Sequence, residues 1–148
     1  MTPLQIPGMQ SLRGKTVYVS FSAEISAATT ESLIAAMASL ANQGASEVRL
    51  LMSTPGGAVM NGINLYNVLR ALPFKLVTHN VGNIESIGNA VFLAGEERYA
   101  CPHSTFMFHG VSANFPPGTS QLDAKRLRES LGNVDGCGSS GVMRCEAF

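Results

Sequence analysis

The chain has no tryptophan, and its three cysteines, Cys101, Cys137 and Cys145, show no CxxC spacing. An odd count without paired spacing argues against a disulfide framework and a zinc site, and fits a reducing, cytoplasmic setting. Charge is equally scarce: Asp, Glu, Lys and Arg make up 14% of the residues, 10 acidic against 10 basic. With no basic run there is nothing to neutralise a phosphate backbone, so nucleic acid is not an expected partner. No apolar stretch approaches the ~18 residues of a membrane span. The opening "MTPLQIPGMQSLRGK" lacks the basic-then-apolar order of a signal peptide, so membrane spanning and secretion are both disfavoured. No ligand cluster for a metal or an organic cofactor is found, and none is expected.

What is present is apolar material, 45% of 148 residues, enough for one domain with a real core. A surface so poor in charge suggests cover by other subunits. "TVYVSF" (16–21) alternates as a strand does. "SAATTESLIAAMASLANQG" then starts on a capping serine, keeps helical spacing and stops at Gly44. "EVRLLMS" is a second strand, "TPGG" a turn and "AVMNGINLYNVLRAL" a second helix closed by Pro73. "KLVTHNVGN" is a third strand, running into a third helix that begins near Ser86. "ERYACPHSTFMFHG" reads as two strand segments around a Cys-Pro-His-Ser turn. The repetition predicts an α/β fold with a largely parallel sheet. After Gly110, "VSANFPPGTS" is a loop and "QLDAKRLRESLGNV" a polar helix in need of a partner. "DGCGSSGVMRCEAF" (135–148) reads as an irregular tail, native or not.

Open parallel sheets gather ligands beyond the carboxyl ends of their strands. Two loops stand there, "STPGGA" (53–58) and "GNIESIG" (82–88). Adjacent glycines let backbone N–H groups approach a ligand, and a serine at a strand-to-helix junction can present a hydroxyl. Together they can supply a nucleophile and an oxyanion hole. Each also has a plain structural reading: Ser86 as a helix N-cap, Pro-Gly-Gly as a turn, His109 as a hydrogen-bonded histidine at a strand end.

The combination resembles the proteolytic subunit family of the Clp protease, ClpP. "MSTPGGAVMNGINLYNVLRAL" is similar to the family's Ser-Pro-Gly-Gly segment and following helix. "GNIESIGNAVFLAGEERYACPHSTFMFHG" is similar to its Ser-x-Gly nucleophile region, Pro-x-Ser turn and Met-x-His strand end. The interval from Gly57 to Ser86 is the family's own, that from Ser86 to His109 slightly shorter, and the likeness covers roughly residues 12 to 134. It implies a ClpP/crotonase-like fold of repeated strand-helix units ending in a handle-like helix (119–134). Residues 1–134 form the peptidase domain, with 1–14 an axial loop or a frayed terminus. Ser86 becomes the nucleophile, His109 the general base, and the amides of Gly57 and Ile87 the oxyanion donors. Gly56, Ala58, Val59, Gly110 and Val111 lie along an extended polypeptide substrate. The resemblance also implies a homo-oligomer, a ring of seven or two stacked rings. A partner AAA+ unfoldase then consumes the ATP, since the chain needs no cofactor of its own.

The chain departs from that pattern. Ile84 and Glu85 replace small residues before the serine, and Ile87 replaces a common methionine, harmlessly if only its amide acts. Glu85 points outward or, turned inward, raises the pKa of His109. The aspartate that completes the family's triad lies beyond the handle helix, and neither Asp123 nor Asp135 matches it, which implies a weak or inactive enzyme. Three readings stay open: a ClpP-like serine endopeptidase, an impaired ring or peptide-binding subunit, and a crotonase-like acyl-CoA enzyme. The last needs no serine.

Overall fold

The computed structural model describes residues 11–109 and 146–147. Its elements run β1 (Thr16–Ser22), α1 (Ala27–Asn42), β2 (Glu47–Thr54), α2 (Val59–Ala71), β3 (Lys75–Glu85), α3 (Gly88–Phe92), β4 (Glu97–Ala100), β5 (Thr105–Met107) and β6 (Glu146–Ala147). The chain divides into two compact units, Met1–Met107 with Arg144–Phe148, and Phe108–Met143. Of the second, Phe108 and His109 are described, both exposed. The handle-like helix, Gly110, Val111, Asp123 and Asp135 lie outside the described residues.

Local chemistry explains the first unit. Ser26 has extended backbone, φ −119° and ψ 173°, and its hydroxyl accepts the Thr29 N–H. Thr29 Oγ1 in turn accepts the Ser26 N–H at 2.9 Å, closing a capping box. α1 ends at Gln43, where Gly44 takes φ 79° and lets the chain turn back into β2. α2 stops at Leu72, just ahead of Pro73. Leu12 packs on the core and donates its N–H to Gln43 O at 2.9 Å. The last residues of the expected axial segment are thus anchored on α1.

The sheet runs β1-β2-β3-β4-β6, with β5 also on β3, and every pairing is parallel. The expected largely parallel α/β sheet is therefore present. Burial alternates along β2, with Val48, Leu50, Met52 and Thr54 inside. That face meets Leu33 and Met37 of α1, Leu65 and Leu69 of α2, and Val91 and Phe92 of α3 in one core. Ion pairs lie at the strand starts, Arg49–Glu47 at 2.9 Å within β2 and Lys75–Glu97 at 2.5 Å between β3 and β4. Exposed pairs of this kind contribute little to stability. The expected irregular tail holds one short regular piece, β6, which pairs with Tyr99 and Ala100.

β3 is the organising strand. It pairs with β4 over Val77–Asn80 and then with β5 over Asn83–Glu85. Asn80, fully buried, sits where the partner changes: Nδ2 donates to Thr105 O at 2.8 Å and Oδ1 accepts the Gly82 N–H at 3.1 Å. Its carbonyl accepts the Cys101 N–H. An amide at that branch satisfies backbone groups that neither ladder reaches. On the β2 side the register slips between Met52↔Asn80 and Thr54↔Ile84, so β3 bulges there, and Ser53 Oγ donates to Asn83 Oδ1 at 3.0 Å across the gap.

Leu50→Ala, at a side chain with no exposure, is expected to lower unfolding free energy by about 2–5 kcal/mol with an unchanged denaturant slope, read by urea titration. Burial, and secondarily the Arg49 charge, lower the pKa of His79 below 6.5. The unfolded chain therefore takes up that proton first. This contribution is intact above pH 6.5 and falls away as pH drops through the folded value. The difference in stability between wild type and His79→Gln, measured across that window, should show the decline; a flat difference would contradict it.

Candidate active site

β2 and β3 are parallel neighbours, so the loops leaving their carboxyl ends emerge side by side. The first is Pro55-Gly56-Gly57-Ala58. Gly56, at φ 84°, donates its N–H to Thr54 Oγ1 at 3.1 Å. Its carbonyl accepts the Ile25 N–H at 2.7 Å, and the Ala58 N–H donates to Ile25 O at 2.8 Å. This bridge between Ile25 and Gly57 uses the groups on either side of Gly57 and turns the Gly57 N–H the other way. A side chain at Gly57, φ 145°, would run into the Ile25 carbonyl. Ala58 has both backbone groups engaged, its carbonyl accepting the Gly62 N–H. Gly57 and Ala58 are exposed and Val59 half-buried.

The second loop is the turn at Ser86. The third helix was expected to begin there, with Ser86 as its cap. Instead α3 spans Gly88–Phe92, its N-cap is Ile87, and no side chain caps it. Ser86 has φ 53°, a left-handed conformation that a capping residue, extended like Ser26, does not take. The turn redirects the chain at the end of β3. It leaves the half-buried Ser86 hydroxyl without a hydrogen bond among the described residues. Such left-handed non-glycine residues cost ~1–3 kcal/mol and concentrate at functional sites, a nucleophile on a sharp strand-to-helix turn being one recurrent case.

The two loops touch. A Cβ on Gly56 would stand 2.8 Å from Ser86 Cβ and 2.7 Å from Glu85 O, so only glycine permits the approach. On the far side, the Ile87 side chain lies against Gly62 of α2. The amides of Gly57 and Ile87 donate to nothing among the described residues. Glu85 is half-buried and its carboxylate accepts Asn83 Nδ2 at 2.8 Å, which ties it to the Ser53–Asn83 link. Asn89 was not singled out from sequence. It is 6% exposed, and its Nδ2 donates to Ser86 O at 3.0 Å and Met107 O at 2.8 Å. A lone amide in the apolar run "GNAVFLAG" was the available signal.

A family model described as Clp protease matches residues 9–129, a span that holds Gly57, Ser86 and His109. The chain belongs to the Clp protease family. ATP-dependent Clp protease proteolytic subunit 2 of Prochlorococcus marinus is 30% identical over 146 residues, covering 87% of this chain and 73% of that protein. The ATP-dependent Clp protease proteolytic subunit of Deinococcus radiodurans is 30% identical over 95 residues, where the chain spans 60% of its own length and 47% of that Clp subunit. Among solved structures, ClpP1 from Listeria monocytogenes shares the fold with a TM-score of 0.65 at 19% identity, over 82% of this chain and 71% of that one. Among the described residues no helix is long and apolar enough to cross a membrane, and no three His, Cys, Asp or Glu side chains gather as metal ligands.

Strain at Ser86 has a measurable consequence. Ser86→Gly is expected to exceed Ser86→Ala in stability by about 1 kcal/mol, because glycine alone takes φ 53° without cost. Equal stabilities in thermal unfolding would show that the turn carries no such strain.

Proposed function

We propose that this Clp-family subunit is a serine endopeptidase that cleaves extended or unfolded polypeptide through an acyl-enzyme on Ser86. The observation that carries the reading is the contact between Gly56 and the left-handed Ser86, which brings an unengaged hydroxyl beside the Gly-Gly loop. The unengaged amides of Gly57 and Ile87 support the rest.

In this reading a general base, the role that the Clp resemblance assigns to His109, takes the Ser86 proton as Oγ attacks the substrate carbonyl. The carbonyl oxygen becomes an oxyanion and accepts hydrogen bonds from Gly57 and Ile87; losing one such donor typically costs ~100-fold or more in rate. The amine leaves with the proton from that base, and water then releases the acyl group by the same steps in reverse. Substrate backbone lies extended along Gly56, Ala58 and Val59, the positions that the Clp resemblance assigns to it. The Clp likeness supports a homo-oligomeric ring in the cytoplasm, fed by an ATP-consuming unfoldase.

A fluorophosphonate probe tests this directly. The purified, folded protein should gain a single adduct by intact mass, and Ser86→Ala should gain none. A folded sample that stays unlabelled would remove the peptidase reading and favour a ring or peptide-binding subunit.

A further inference from the structure

Asn89 is the second residue of α3, buried beside apolar Val91 and Phe92. An alanine or valine would fill that place without burying an amide. The amide's Nδ2 faces two carbonyls, Ser86 O and Met107 O, which only the NH₂ group can do, and this fixes its orientation. Oδ1 is left buried with no partner among the described residues. Buried polar atoms of that kind are few in native proteins and ask for a reason beyond packing.

The reason lies in what the NH₂ group joins. Met107 O already accepts the Ser86 N–H at 3.0 Å. The Asn89 side chain ties the other end of the same residue, the Ser86 carbonyl, to that same acceptor. The Asn89 main-chain N–H adds a bond to Ser86 O at 3.1 Å. Ser86, at φ 53°, is thus held to the last residue of β5 directly through its N–H and, by way of the Asn89 amide, through its carbonyl. Without the side chain, one of the two ties to β5 is gone.

We propose that Asn89 is the positioning residue of the nucleophile: its side chain clamps Ser86 in the left-handed turn and fixes it to the end of β5. It touches no substrate and exchanges no proton. The inference rests on the reading of Ser86 as nucleophile, and it adds a residue that acts only through Ser86.

The test compares fluorophosphonate inactivation of wild type, Asn89→Ala and Asn89→Asp, separating the maximal rate from the half-saturating probe concentration. Displacing a reacting group by about 1 Å can cost ~100-fold. Asn89→Ala should lower the maximal rate ~10- to 100-fold and leave half-saturation within about two-fold. Asn89→Asp, of the same shape but without the NH₂ donors, should lose at least as much, and it decides the matter if the alanine variant folds poorly. In NMR the Ser86 backbone shifts should move from left-handed values in both variants while α1 and β1 shifts stay in place. Wild-type rates in both variants would overturn the inference and leave the peptidase reading intact. Folded wild type that fails to react would overturn that reading, and unmoved Ser86 shifts would separately overturn the clamp.

Discussion

Everything at the candidate site depends on one close approach, that of Gly56 to the turn at Ser86. A single methyl group on Gly56 would stand within 2.8 Å of Ser86 Cβ, so the distance between the loops is set by an absent side chain. The approach exists because β2 and β3 are parallel neighbours, which delivers both outgoing loops to one end of the sheet. Ile25 then fixes the height of the Gly-Gly segment by bonding the groups on either side of Gly57. The Ser86 hydroxyl, the amides of Gly57 and Ile87 and the Gly-Gly segment are brought together by backbone geometry, with few side chains involved.

The same geometry explains why the surroundings are less regular than the repeat suggests. β3 must leave β4 and join β5 before it reaches Ser86, and each irregularity along it serves that change. Asn80 satisfies the backbone at the branch, the bulge takes up the slipped register, and Ser53 and Asn83 bridge it. Bulges beside active sites commonly re-aim the residues that follow, and here those residues are Glu85 and Ser86. Glu85 is held by Asn83 on this scaffold, which gives the acidic neighbour of Ser86 a fixed position.

Much of this was legible in the sequence, for identifiable reasons. The alternation of Val17, Val19 and Phe21, the cap at Ser26 and the stop at Gly44 are local signals, and the structure follows them. Gly57 and Ser86 could be brought to one end of the sheet because strand-helix repetition implies parallel strands. What could not be read depends on contacts between distant residues. Ser is a favoured cap, so its place before an apolar run suggested a longer helix. The left-handed turn arises from β5 pairing with β3, which binds the Ser86 N–H to Met107. Asn89 offered only a lone amide in an apolar run as a signal, and its partners appear only once Ser86 and Met107 are adjacent. Asn80 marks a change of strand partner that no period of the sequence records.

The most direct test of the account is a crystal structure of the phosphonylated protein. If Gly57 and Ile87 are the oxyanion donors, the phosphonyl oxygen of the Ser86 adduct will lie about 2.7–3.1 Å from both amide nitrogens, with Ser86 still left-handed. An adduct whose oxygen points to solvent or to neither amide would contradict the claim that the Gly-Gly loop and the Ser86 turn form one site.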